Sequence, residues 1–130
     1  MPDSLADFVR AALAEVTEVS PEDVRDLLER PDRGGYEILD VRELDEWQAG
    51  HLPGARHYPR GFLEVKADLE HHKRDEWLSS GRERPMILYC GGGNRSALAV
   101  QSLQKMGFER LLSMAEGWHG WTDRAFPVEP

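Results

Sequence analysis

The apolar positions of the first twenty residues recur at helical spacing. Leu5, Phe8, Val9, Ala12 and Val16 follow Ser4, which has Asp7 three residues on, and together they predict a capped first helix. Ser20-Pro21-Glu22-Asp23 repeats the signal with serine as cap and proline at the first helical position, and Val24, Leu27 and Leu28 supply the stripe to be buried. A turn over Pro31 to Gly35 leads into Tyr36 to Val41, which reads as a buried strand, and Glu43 to Ala49 as a short helix closed by Gly50. Beyond the Pro53-Gly54 turn, Ala55 to Tyr58 is a short strand and Phe62 to Leu69 a helical or irregular crossover; His71 to Arg84 is polar and predicts no definite element. Met86 to Tyr89 is a strand behind Pro85. Ser96 to Lys105 is a helix with Gly107 as its C-terminal cap, Leu111 to Met114 is a strand, and Glu116-Gly117 precedes a last helix holding Trp118 and Trp121. Strands alternating with helices predict an α/β fold with a parallel sheet covered on both faces. In such sheets the functional loops gather at the carboxyl ends of the strands, an edge that Asp40, Cys90 and Met114 to Gly117 would share.

Composition narrows the function. At 130 residues, with 40% hydrophobic and 31% charged side chains, the chain suits one domain with its own core. A net charge of -8 with no basic stripe argues against nucleic acid or an anionic membrane as partner. The longest apolar run, Met86 to Cys90, is far short of a membrane span, and Met1 to Asp7 lacks the basic and apolar regions of a signal peptide. One cysteine excludes an intramolecular disulfide, so a reducing, cytoplasmic setting is expected. It also leaves no internal thiol to resolve whatever that cysteine carries.

That cysteine stands where chemistry is to be expected. In Tyr89-Cys90-Gly91-Gly92-Gly93-Asn94-Arg95-Ser96 it joins a strand to a helix across three glycines. Glycine adopts backbone angles closed to other residues, so Gly91 to Gly93 can curl the chain until several backbone N–H groups converge on one point. The helix that follows aims its unpaired N–H groups at the same place, and the Cys90 sulfur is the nearest anion to occupy it. The loop is therefore expected to favour thiolate, the nucleophilic form, over thiol.

Cys90-Gly91-Gly92-Gly93-Asn94-Arg95-Ser96 resembles C-x-x-G-x-R-S, the active-site loop of the rhodanese family of sulfurtransferases. Asp40-Val41-Arg42, Glu46-Trp47 and Gly50-His51-Leu52-Pro53-Gly54-Ala55 are similar to its amino-terminal signature; Gly107-Phe108, Glu116-Gly117-Trp118, Trp121 and Pro127-Val128 are similar to its carboxyl-terminal end. The resemblance covers residues 20–130 and leaves 1–19 as an N-terminal helical extension. It implies a five-stranded parallel sheet with helices on both faces and a single-domain rhodanese. It also implies a mechanism in which Cys90 takes sulfane sulfur from thiosulfate or a related donor as a persulfide and passes it to a thiol or cyanide, with residues 91–96 holding the persulfide. No metal and no cofactor are called for. A protein acceptor, with the fold serving as a regulatory or sulfur-carrier module, is the alternative. Protein tyrosine phosphatases, and the cell-cycle phosphatases that share this fold, carry C-x5-R; here four residues separate Cys90 from Arg95, which disfavours phosphatase or arsenate reductase chemistry. Several thiosulfate-using members carry Arg or Lys just after the cysteine, where this chain has Gly91 and Gly92, and the departure implies weak thiosulfate binding.

Bland roles compete with each sharp one. Cys90 could be a small buried hydrophobe. Arg95 either orients an anionic substrate or bonds loop carbonyls or Asp40. Asp40 and Arg42 are expected to form a scaffold ion pair that shapes the loop without touching sulfur. Adjacent His71 and His72 would point apart on a helix and so make a poor metal site; His51 and His57 are expected to be structural, Trp118 and Trp121 core, and Glu43, Asp45 and Glu46 a solvated face.

Overall fold

The computed structural model describes residues 3–130. In chain order its elements are α1 (Leu5–Glu15), β1 (Glu18–Val19), α2 (Pro21–Leu28), β2 (Glu37–Asp40), α3 (Leu44–Gln48), β3 (Arg56–His57), α4 (Leu63–Ala67), α5 (Glu76–Ser79), β4 (Met86–Tyr89), α6 (Asn94–Lys105), β5 (Leu111–Met114) and α7 (Gly117–Asp123), with 3-10 turns at Arg33–Gly35 and Arg60–Phe62. The five strands form one sheet in the order β1-β5-β4-β2-β3, and every pairing is parallel.

The side-chain period of two sorts the strands into two cores. Leu39, Met86 and Leu88, with Val41 and Cys90 just past their strands, face Leu63 and Ala67 of α4, Leu78 of α5 and Ala99, Val100 and Leu103 of α6. Ile38, Ile87 and Tyr89 face Val24 of α2, Leu52 and Trp121 of α7. Both faces of β4 are buried along its whole length, which is why Met86 to Tyr89 carries no polar alternation. Each of these leucines contributes ~1.5–3 kcal/mol by leaving water. Cys90 is the last inward position on the α6 side, so the sheet itself aims its sulfur beneath the loop that follows.

Helix starts follow their caps. Ser4 and Asp7 form a reciprocal capping box, and the Ser20 hydroxyl accepts from the Asp23 N–H at 3.1 Å. Val9 and Ala12 bury the inner face of α1 against α6, and Gln101 donates to Glu15 at 2.9 Å. The fifth strand, β1, is two residues long and pairs with β5 through Glu18 and Val19, so the segment ahead of residue 20 supplies an edge strand besides its helix. The polar stretch after His71 folds a short helix, α5, capped by Asp75, which accepts from the Leu78 N–H at 2.9 Å. His71 and His72 lie in a turn rather than on a helix, and their rings stack at 4.6 Å instead of diverging. Among the described residues no helix is long and apolar enough to cross a membrane.

Candidate active site

Gly93 makes the turn that defines the site. Its φ of +104° reverses the chain between β4 and α6, so the helix begins at Asn94, two residues ahead of the serine expected to open it. The same turn swings the Gly93 N–H back toward Cys90, to which it donates at 3.1 Å. Ser96, one turn into the helix, is fully buried; its hydroxyl lies 3.5 Å from the Cys90 sulfur, donates to the Gly93 carbonyl at 3.2 Å and shares a 2.8 Å bond with Ser113 of β5. Cys90 is 1% exposed, so its sulfur sits on the floor of the loop rather than at its rim.

The start of α7 clamps the other side of the loop. The Trp118 N–H donates to the Cys90 carbonyl at 2.7 Å and the His119 N–H to the Gly91 carbonyl at 3.0 Å. Those two bonds tie down carbonyls on one side of the loop, while the Gly93 N–H on the other is bonded to the sulfur. The contact with α7 leaves no room at Gly117: φ is +54°, and a Cβ there would lie 2.4 Å from the Cys90 oxygen and 2.8 Å from the Gly91 oxygen. Gly91 and Gly92 have no such backbone constraint.

Asp40 and Arg42 form the expected ion pair, 0% and 2% exposed, in which the Arg42 Nε and Nη2 meet the carboxylate at 2.7–3.1 Å. Arg42 also donates to the Gly50 carbonyl at 2.7 Å and lies over the Trp118 ring at 4.5 Å, joining the Gly50 turn to α7. Burial opposes its charge, yet the Asp40 carboxylate keeps the guanidinium pKa above its ordinary value. Burial, with Asp40 behind it, pushes the neighbouring Tyr89 phenol up, and the Tyr89 oxygen accepts from the Leu52 N–H at 3.1 Å. Trp47 stacks on His51 at 3.7 Å and on His57 at 4.9 Å, and His57 Nε2 bonds the Arg42 carbonyl at 2.8 Å, so both histidines support the scaffold. Trp121 is fully buried, whereas Trp118 is half-buried against Arg42.

Arg95 differs from expectation. Its partner is neither Asp40 nor a loop carbonyl but Glu46 of α3, reached by two bonds of 2.7 and 3.0 Å. Glu46 is therefore not part of a solvated acidic face: Arg95 holds its carboxyl down at about 2 against the cost of burial. Paired planar groups on elements 49 residues apart leave no local trace in a sequence. His119 carries no signal either, and the structure sets its exposed ring beside Gly91 and Gly92. Among the described residues no group of three or more His, Cys, Asp or Glu converges to hold a metal ion.

A cysteine bonded by a glycine-loop amide at the carboxyl edge of a five-stranded parallel sheet agrees with the comparison to known families, in which the rhodanese-like domain matches residues 20–124. The chain belongs to the rhodanese-like family. Its relatives include sulfurtransferases and sulfur carriers at modest identity. The putative sulfur carrier protein YrkF of Bacillus subtilis is 33% identical over 87 residues, covering 67% of this chain but only 42% of that protein. A Rhodopseudomonas palustris protein of unknown function, described as a possible tyrosine phosphatase, superposes with a TM-score of 0.88 over 99% of both chains at 25% identity. The human single-domain sulfurtransferase superposes with a TM-score of 0.70 at 26% identity, covering 84% of this chain and 97% of that one.

Proposed function

We propose that this rhodanese-like protein is a sulfurtransferase that carries sulfane sulfur on Cys90. The observation that carries the reading is the 3.1 Å approach of the Gly93 N–H to the Cys90 sulfur, because an amide locked by a left-handed glycine stabilises an anion without reorganising. The Cys90 thiolate attacks the outer sulfur of thiosulfate. A new S–S bond forms, the old one breaks, and its electron pair leaves with sulfite. The persulfide anion then lies among the amides of residues 91–96, with the Ser96 hydroxyl beside the inner sulfur. An external nucleophile, a thiol or cyanide, takes the outer sulfur and returns the thiolate. Sulfite leaves readily and the loop supplies the anion stabilisation, so the step calls for no cofactor. A protein thiol as acceptor is a second reading, favoured by the likeness to a sulfur carrier and by the lack of another cysteine in this chain to release the sulfur from within. A reducing cytoplasm fits either acceptor.

Mass spectrometry of the purified protein after incubation with thiosulfate, or with an alkyl persulfide, tests the reading. The expected result is a gain of one sulfur on Cys90, absent in Cys90→Ser and discharged by cyanide. Sulfur uptake by Cys90→Ser, or none by the folded wild-type protein from either donor, overturns it.

A further inference from the structure

The side chains around the mouth of the loop are unequally available. A methyl group built on Gly91 would lie 2.9 Å from an Arg95 guanidinium nitrogen, 3.5 Å from His119 Nε2 and 3.8 Å from a Glu46 carboxylate oxygen. Three polar groups thus border the same small volume, which Gly91 itself leaves open. Arg95 is the obvious anion ligand there, but both its terminal nitrogens are already held by Glu46, whose negative charge lies on the same volume. A dianion approaching Cys90 meets a neutralised pair, not a free cation. His119 stands differently. Its backbone N–H is fixed on the Gly91 carbonyl at 3.0 Å, its ring is exposed, and it enters no ion pair among the described residues. The ring runs along the two glycines, with Nε2 toward Gly91 and Cδ2 4.0 Å from where a Gly92 side chain would begin.

We infer that His119 is a donor-binding, specificity-determining residue of the site, whose Nε2–H donates to the oxyanion end of thiosulfate or an organic thiosulfonate while the sulfane sulfur sits over Cys90. The inference rests on the Cys90 sulfurtransferase reading and adds a substrate preference to it. A donor with sulfonyl oxygens projecting from the loop gains this bond; an alkyl persulfide, with no oxygens, gains nothing. Selectivity between the two classes then resides in one exposed ring beside two glycines, next to an Arg95 guanidinium already paired with Glu46.

The test is steady-state kinetics on His119→Ala with thiosulfate and with an alkyl persulfide, cyanide being the acceptor for both. One hydrogen bond to a charged ligand corresponds to roughly tenfold or more in affinity. His119→Ala is therefore expected to raise KM for thiosulfate by about that factor with kcat little changed, and to leave the persulfide reaction as it was. His119→Gln, which restores an N–H donor, should recover part of the loss. Because the anchoring bond is made by the backbone, circular dichroism should show both variants folded. An unchanged thiosulfate KM in His119→Ala, or equal losses with both donors, overturns the assignment. A wild-type protein that takes sulfur from neither donor overturns the transfer reading itself, and does so before any variant is compared.

Discussion

Gly117→Ala tests the clamp that shapes the loop, and its cost can be worked from the geometry. The added methyl enters with φ at +54°, a region that costs a non-glycine residue ~1–2 kcal/mol. It also lies 2.4 Å from the Cys90 carbonyl oxygen and 2.8 Å from that of Gly91, closer than real contacts allow, so the start of α7 must back away from the loop. Retreat breaks the bonds from the Trp118 and His119 amides to those two carbonyls, worth ~0.5–1.5 kcal/mol each. The sum is about 2–5 kcal/mol, within the ~5–15 kcal/mol of a typical domain, so the variant should fold with a lowered denaturation midpoint. Activity should suffer more than stability. The two carbonyls fix the peptide planes on either side of Gly91, and a displacement of ~1 Å at a reacting centre costs ~100-fold in rate. Urea denaturation followed by tryptophan fluorescence measures the first effect, and the rate of Cys90 sulfuration by thiosulfate the second. Gly92→Ala is the control, because its methyl meets nothing nearer than 4.0 Å and should leave stability within ~1 kcal/mol of wild type. A Gly117→Ala protein indistinguishable from Gly92→Ala in both assays would refute the argument that α7 shapes the loop.

Other groups give narrower tests. Glu46→Gln should cost about 1 kcal/mol at neutral pH, a figure discounted for the partial exposure of the pair. Because the Glu46 carboxyl falls from 4.5 to about 2 on folding, its contribution is fully present above about 4.5 and fades as pH drops toward about 2; a variant difference that persists at the acid end of urea titrations would contradict this. Ser96→Ala should destabilise by ~1–3 kcal/mol, since it strands the buried Ser113 hydroxyl, and Ser96→Ala/Ser113→Ala should recover part of the loss in thermal melts. Gly92→Lys should lower KM for thiosulfate by about tenfold by supplying a charge-assisted contact, and an unchanged KM in the folded variant would show that the donor does not pass over Gly92.

What the sequence disclosed, it disclosed through local pattern. Caps at Ser4 and Ser20, the unbroken apolar run of β4 and the glycine-rich loop each announce themselves within a few residues, and each stands where expected. The failures are non-local. Glu18–Val19 is too short to show a period and is a strand only because β5 lies beside it. Asp75 caps α5 from within a stretch whose polarity reads as loop. Glu46 resembles any acidic residue of a surface helix until the fold brings Arg95 against it. His119 gains a place at the site through a backbone bond across 28 residues. Cys90, Gly93 and Arg95 were legible because one short stretch of chain supplies them; Glu46 and His119 were not, because α3 and α7 bring them in from elsewhere in the sequence.

That division bears on why a possible tyrosine phosphatase and a sulfurtransferase can share this chain's shape. Parallel sheet and flanking helices fix only where the cysteine stands. What it accepts depends on how many amides converge and where the loop's arginine points. A phosphoryl group carries three oxygens that need several donors at once, commonly with a guanidinium presented to them in a bidentate fork. Here the loop has one residue fewer than the phosphatase pattern, the Gly93 amide reaches the sulfur itself at 3.1 Å, and the Arg95 fork is spent on Glu46. A tetrahedral phosphate in this loop would displace the carboxylate or go without the fork, whereas a single sulfur asks for neither. Arg95 closes the loop against α3, so under the proposed sulfur transfer the fork is not offered to the donor, an arrangement that suits sulfur better than phosphorus on the same scaffold.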